Sequence, residues 1–295
     1  MLSILIPTYN YSVVNLTENI HKQTINANIP FEIIVVDDAS FNKNTLEENK
    51  SINLLSHCRL IENTKNLGRT ACRNLLANKA SYNYLLFLDA DVLPVYSDFI
   101  SRFNLKNQEN ISVIFGGVNY YDSTPNTSEI LRWKYGKSRE TKTVKDRKKH
   151  PYFIISQNLL IEKELFLTLN TSKNNCYGLD ILFSANLKKS KTKVNHIDNP
   201  VYHLGLESNT IFIKKSVEAV KTTFQLEQDG LIENDLRPLQ KSYNTLKKWH
   251  LSGLFTTVFP SINSLVEKNL HSKNPSIFLF DLFRLYHFSK LKNDA

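Results

Sequence analysis

Short, unbroken apolar runs punctuate the first 120 residues: LSILI (2–6), EIIVV (32–36), CRLIE (58–62), YLLFL (84–88) and SVIFGGV (112–118). Each has the length of a strand, and the lack of polar alternation predicts burial on both faces. Between them, residues 13–27, 45–56, 69–80 and 97–106 have the length and spacing of helices. Such alternation predicts right-handed crossovers and an α/β fold with a mainly parallel central sheet. Beyond residue 120 the pattern loosens. FIISQNLLIEKELF (153–166) and YGLDILFSANLKK (177–189) read as strand or helix starts around polar residues. From 211 onward helices are expected, including SIFLFDLFRLYHF (276–288), which is apolar nearly all round. That pattern predicts a helix docked on the domain, with a membrane or partner surface as the alternative. The expected division is a domain over 1–210, in halves 1–120 and 121–210, followed by a helical extension over 211–295.

Open α/β sheets bind ligands beyond the carboxyl ends of their strands. The residues just past each strand are therefore informative: PTYN (Pro7, Thr8, Tyr9, Asn10), then DDAS from Asp37 and Asp38, then NTKNLGRTACRN, then DAD (Asp89, Ala90, Asp91). Polar and acidic residues gather at one sheet edge. Asp89 and Asp91, two apart in extended chain, point the same way and repel unless a cation lies between them. A hard divalent ion, Mg²⁺ or Mn²⁺, suits such oxygens; a capping or turn role for either aspartate is the alternative. Asp37 and Asp38 can accept hydrogen bonds from a ribose hydroxyl or a base N–H, with Tyr9 against the base. The plainer possibility is a turn cap and a packing tyrosine. Asn66, Gly68, Arg69 and Arg73 stand at a loop-to-helix junction, a favourable place for an anion. Neither a G-x-G-x-x-G after the first strand nor a G-x-x-x-x-G-K-[ST] occurs, which disfavours Rossmann dehydrogenases and P-loop NTPases.

Composition narrows the class only a little. With 41% hydrophobic and 22% charged residues, the 295-residue chain reads as a soluble globular protein. Three scattered cysteines, Cys58, Cys72 and Cys176, suit neither a disulfide framework nor a zinc cluster. The N-terminus MLSILIPTYN lacks the marks of a signal peptide, and no run reaches the roughly 18 apolar residues of a spanning helix. A cytoplasmic protein is expected, with peripheral contact at the inner face of the membrane as a further expectation. The net charge of +9 is concentrated in 134–149, where eight Lys or Arg meet two acids. That argues against a broad nucleic-acid-binding face and predicts one basic loop, either a solvated surface or a lid meeting phosphate or an acidic acceptor.

Taken together, SILIPTYN, EIIVVDDAS, NLGRTACRN and LFLDADV resemble, in order and spacing, the family-2 glycosyltransferases of the GT-A fold. The likeness is strong over residues 1–120 and weaker to about 205. It implies a Rossmann-like α/β/α sandwich whose first half binds a nucleotide sugar of UDP, GDP or dTDP type, and whose second half binds the acceptor. It also implies that Asp38 contacts the base and that the D-x-D holds a divalent metal and the diphosphate, Asp91 as direct ligand and Asp89 toward ribose and metal. In YGLDILF, Asp180 matches the family's general base, while Leu179 stands where a second acid is common. His203 matches a further metal ligand, with His196 a lesser candidate. The implied activity is metal-assisted, inverting transfer of a sugar to a hydroxyl of a saccharide or lipid-linked acceptor, as in bacterial surface polysaccharide synthesis. Arg132 and Trp133 lack the preceding Gln of the processive Q-x-x-R-W motif, which favours single addition. A degenerate scaffold subunit, suggested by Leu179, and a nucleotidyltransferase are the alternatives.

Overall fold

The computed structural model describes residues 1–105, 112–171 and 177–295; Cys176 and residue 106, the end of one expected helix, lie outside them. The elements run β1 (Leu2–Thr8), α1 (Val14–Ala27), β2 (Phe31–Asp37), α2 (Lys43–Lys50), β3 (Cys58–Glu62), α3 (Arg69–Lys79), β4 (Tyr84–Leu88) and β5 (Val92–Pro94). Next come β6 (Val113–Phe115), β7 (Val118–Asn119), α4 (Ile130–Tyr135), α5 (Val144–Lys149), β8 (Asn158–Glu162), α6 (Lys163–Leu169) and α7 (Asp180–Lys189). The chain ends with β9 (Val194–His196), β10 (Val201–His203), α8 (Asn209–Gln228), α9 (Pro238–Lys248), α10 (Ser252–Val258), α11 (Pro260–Leu270) and α12 (Ile277–Asp294).

The chain divides into two units, and the division is not a single cut near 210. One unit comprises 1–119, 141–175 and 186–205; the other comprises 120–140, 176–185 and 206–295. The first holds a seven-stranded sheet in the order β3-β2-β1-β4-β8-β6-β9. It is mostly parallel, with β8 running antiparallel between β4 and β6. The apolar runs of β1, β2 and β4 are buried on both faces as expected, but CRLIE is not: as the edge strand β3 it is half exposed, with Arg59 and Glu62 facing solvent. Ile4, Ile6, Ile33, Val35, Leu86 and Leu88 join Leu16 and Ile20 of α1 in one core. Leu5, Ile34, Val36 and Phe87 alternate with them and are also fully buried. Each such side chain contributes about 1.5–3 kcal/mol by leaving water. Register aligns Thr8 with Asp37 and Asp37 with Glu62, so the strands' carboxyl ends stop level with one another. A second sheet, β5-β10-β7, has three short strands.

Three expected elements come out differently. Within 97–105 there is only a short 3₁₀ turn at Ser101–Phe103, ended by Asn104 in the left-handed region. Phe99 and Phe103 are drawn into the core and meet edge to face at 5.2 Å, so tertiary packing overrides helical spacing. The helix expected over 45–56 begins earlier, where Asn42 caps α2, and tightens to 3₁₀ at Ser51–Leu54. SVIFGGV breaks into β6 and β7 because Gly117 takes φ +102°, which switches the chain from one sheet to the other.

The second unit is helical. Leu131, Phe212, Phe259, Val266, Leu270, Phe280 and Phe283 form its main core. The helix α12 packs within this unit, with Phe280, Phe283 and Phe288 buried. Its Tyr286 ring stacks on Phe259 at 4.6 Å. Among the described residues no helix is long and apolar enough to cross a membrane.

Candidate functional site

The carboxyl ends of β1 and β2 are tied together by their own polar side chains. Pro7 pairs in register with Val36, and Thr8 turns its hydroxyl to the Tyr11 carbonyl at 2.8 Å. Asn10, at φ +52°, accepts from the Phe41 and Asn42 N–H groups, and its own N–H donates to Ser40. Both oxygens of Asp37 accept from Ser40, closing a turn over Ala39 at φ +63°. Asp38 is buried and accepts from the Asn63 amide and the backbone N–H groups of Leu67 and Gly68 at 2.8–2.9 Å. Asn66 donates to the Asp38 carbonyl. Asp37 and Asp38 thus shape the turn and the loop that leads into α3. The groups facing outward beside them are aromatic: Tyr9 is 48% exposed and Phe41 78%, with rings 6.2 Å apart. Sequence reasoning singles out Tyr9 and misses Phe41, whose signal is a large ring directly after DDAS.

At the end of β4 the two aspartates take different surroundings. Asp89 is buried and forms ion pairs with Arg69, at 2.6 Å, and with Arg73. The anion at the start of α3 is therefore, in this structure, a side chain of the D-x-D itself. Arg73 is buried, whereas Arg69 is half exposed and presents charge to the sheet edge. Ala90 packs on the core between the two acids.

Asp91 instead meets a histidine 112 positions away: His203 Nε2 lies 3.2 Å from Asp91 Oδ2. The small sheet makes this contact, since antiparallel pairing of β5 and β10 sets His203 opposite Val92. Leu204 N–H then donates to the Asp91 carbonyl at 2.8 Å. Gly205 completes the corner, because a Cβ there would run into the Asp91 carboxylate. Burial pushes the Asp91 carboxyl up, but the bond and charge of His203 and the charge of Arg69 outweigh it and hold the carboxyl below its ordinary range. Tyr11 lies close enough that burial and the Asp91 charge both push its phenol up. Tyr11 and Gly205 are not expected from sequence; the only hint of the latter is a glycine two places after His203.

Asp91 and His203 suit a divalent ion. Neighbouring ligands of an octahedral ion at about 2.1 Å stand about 3 Å apart, close to the separation of these two atoms. Among the described residues no group of three or more His, Cys, Asp or Glu side chains is arranged around one point. The pair would supply two ligands, leaving the others to substrate oxygens and water. His196 does not join them: its Nε2 lies 3.0 Å from the Pro151 carbonyl, and burial pushes its pKa down.

Asp180 belongs to the helical unit, in the first turn of α7. Its charge acts on Arg237, whose guanidinium burial pulls down to about 10 against the opposing influence of Asp180. Leu179, at the position where a second acid is common, is buried. The basic segment 134–149 is folded rather than an open loop. It comprises the end of α4, a π-helical turn over Gly136–Glu140, and α5. Several of its charges are engaged. Lys137 pairs with Asp122, Arg139 with Asp281 and Lys149 with Asp146. Arg147 donates to the carbonyls of Phe115, Gly116 and Ile197. Arg132 is buried against Glu140 at 3.1 Å, a structural use for the first residue of the Arg-Trp pair.

Comparison with known proteins places this arrangement. The sequence model of glycosyl transferase family 2 matches residues 3–169. An uncharacterized glycosyltransferase of Haemophilus influenzae is 24% identical over 298 residues, covering 96% of this chain and 90% of that protein. An uncharacterized glycosyltransferase of Methanocaldococcus jannaschii is 28% identical over 148 residues, 48% of this chain and 50% of that protein. Among solved structures, a mannosyltransferase from Pyrobaculum calidifontis in complex with GDP-Man and Mn²⁺ matches with a TM-score of 0.55 at 15% identity, covering 99% of this chain and 86% of that one. GalNAc-T7 with UDP, GalNAc and Mn²⁺ matches with a TM-score of 0.51 at 17% identity, covering 69% of this chain and 43% of that one. These two likenesses establish the fold, an α/β domain of the GT-A type.

Proposed function

The chain belongs to glycosyl transferase family 2, and from that premise we propose that it moves a sugar from a nucleoside-diphosphate sugar to an acceptor hydroxyl with inversion at the anomeric carbon. The observation that carries this reading is the pairing of Asp91 with His203 beside the Asp89–Arg69–Arg73 cluster, at the carboxyl ends of the parallel strands. The GDP-Man and Mn²⁺ bound by the Pyrobaculum calidifontis mannosyltransferase of the same fold support the same classes of ligand here.

Each part has a task. Tyr9 and Phe41 offer exposed rings against which a base can lie, next to the turn that Asp37 and Asp38 hold. Asp89 fixes Arg69 and Arg73, and Arg69 directs positive charge at the diphosphate. Asp91 and His203 would hold the ion, and an imidazole ligand would favour Mn²⁺ over Ca²⁺. When bound, the ion supplies charge that stabilises the departing diphosphate. Asp180 takes the proton from the acceptor hydroxyl as that oxygen attacks from the face opposite the leaving group. The acceptor is a saccharide or lipid-linked hydroxyl of the kind used in bacterial surface-glycan assembly.

Thermal-shift screening of UDP-, GDP- and dTDP-sugars with and without Mn²⁺ identifies the donor. Asp91→Asn is expected to lose the metal-dependent part of that stabilisation together with turnover. Asp180→Asn is expected to keep donor binding and lose transfer. Product NMR reads the anomeric configuration, and a product retaining the donor's configuration would overturn the one-step displacement.

A further inference from the structure

The helical unit leaves one long apolar surface uncovered. Trp249, Leu251, Leu254, Val258, Ile262 and Leu265 are all exposed, Trp249 by 67%, Leu254 by 61% and Leu265 by 69%. From Leu251 the intervals are 3, 4, 4 and 3 residues, the spacing of one stripe along a helix. The backbone supports a single stripe, because Phe259, between α10 and α11, keeps helical angles of φ −54° and ψ −39°. α10 contributes no buried side chain at all. On the other side of the same stretch, Phe259, Val266 and Leu270 enter the core. The stretch is therefore anchored from Phe259 onward, and among the described residues no helix is long and apolar enough to cross a bilayer.

Charge indicates what covers the stripe. The eighteen residues Trp249–Val266 contain no Asp, Glu, Lys or Arg. Lysines stand at both ends: Lys247 and Lys248 before the run, Lys268 and Lys273 after it, against Glu267 alone. A second copy of the chain is a poor occupant. Antiparallel two-fold pairing of the stripe would set Lys247 and Lys248 on Lys268 and Lys273, and parallel pairing would set each lysine on itself. A folded protein partner needs polar groups to fix its register, and the stripe offers aliphatic carbon with small hydroxyls at its margins. An apolar face, a tryptophan at its border and cations at both ends fit a surface that is greasy within and negative outside.

We propose that the Trp249–Leu265 face docks on an anionic phospholipid surface, with the α10–α11 stretch lying in the headgroup plane and the four lysines contacting lipid phosphates. The sequence points instead to 276–288 for any membrane contact, but that helix buries Phe280, Phe283 and Phe288 and leaves Phe278 as its one exposed phenylalanine. The proposal does not rest on the transfer reaction, since membrane binding reads no chemistry.

The test is flotation of the full-length protein with vesicles of phosphatidylcholine alone, or of phosphatidylcholine with about one-third phosphatidylglycerol. Binding is expected to the anionic vesicles, to be about ten-fold or more weaker on neutral ones, and to fall as salt is raised. Leu254→Asp with Leu265→Asp, both at exposed positions, should keep the far-UV circular dichroism spectrum and lose binding by about ten-fold or more. Lys247→Glu with Lys248→Glu should lose about five-fold for each lysine. No binding of the native chain to anionic vesicles, or undiminished binding by the leucine variant, would overturn the proposal. So would a dimer in sedimentation velocity that the leucine variant disperses, which would make the face a contact between copies.

Discussion

Gly205→Ala probes the corner that joins the two halves of the Asp91–His203 pair. A Cβ at Gly205 would stand 2.7 Å from Asp91 Cγ and 3.0 Å from Asp91 Cβ, and closer still to Oδ2. These are not the ends of a long side chain that can swing away freely, because the Leu204 N–H holds the Asp91 carbonyl at 2.8 Å. Either the β10 end shifts, an overpacking cost of about 1–3 kcal/mol, or the carboxylate rotates off His203 and loses a charge-assisted bond of about 1.5–3 kcal/mol. Both routes predict a loss of about 1–3 kcal/mol in stability, with weakened Mn²⁺-dependent donor binding. Gly253→Ala is the matched control. It sits in α10, nothing lies within 4 Å of its added Cβ, and it should be neutral or stabilise by up to about 1 kcal/mol. Urea unfolding of both variants, with calorimetry of donor and Mn²⁺, measures the contrast. If Gly205→Ala were as stable as Gly253→Ala and bound Mn²⁺ and donor like the native chain, the corner would not be needed to hold the pair.

Other variants separate the roles of neighbouring residues. Asp89→Asn leaves the buried Arg73 without its counter-charge and should destabilise by about 3–5 kcal/mol. Asp91→Asn should cost less in stability and more in metal-dependent binding, and urea melts beside calorimetry read the split. Phe41→Ala, at a 78% exposed position, should leave the melt unchanged and weaken nucleotide binding by about 1 kcal/mol if its ring meets the base. Burial pushes the thiols of Cys58 and Cys72 up to about 12. Since only the thiolate attacks, iodoacetamide at about pH 8 should leave both unmodified by peptide mass mapping, with labelling rising only as the pH nears 12.

The parallel half of the sheet was legible from its short apolar runs: β1, β2 and β4 are buried nearly throughout, whereas the edge strand β3 is half exposed and carries Arg59. CRLIE and YLLFL fix β3 and β4 to the residue. The acids at the strand ends were legible for the converse reason, since carboxylates next to a core need an explanation. Their contacts were not legible. That Asp89 takes both arginines and Asp91 takes His203 depends on pairings 16 to 112 residues apart. The helical unit does not simply begin at 211, because it recruits 120–140 and 176–185 from the middle of the chain. Local periodicity carries no record of such recruitment. The basic run 134–149 was legible as charge but not as structure. Lys137, Arg139 and Arg147 find Asp122, Asp281 and backbone carbonyls distant in sequence, while Lys142, Lys145, Lys148 and Lys149 stay at the surface.

The β5–β10 pairing also sets an order of events. It closes a loop of 112 residues between Asp91 and His203, which in a flexible chain has an entropic cost of roughly 4 kcal/mol. On the ribosome, β1 to β4 emerge long before β10, so the nascent chain can build its parallel strands while the Asp91 carboxylate still waits for its imidazole. A fragment ending at 169, where the family match stops, would carry the turns and the arginine cluster but not His203. On the proposed reading, competence to hold an ion is thus a late property of synthesis, acquired when residue 203 is free to fold back.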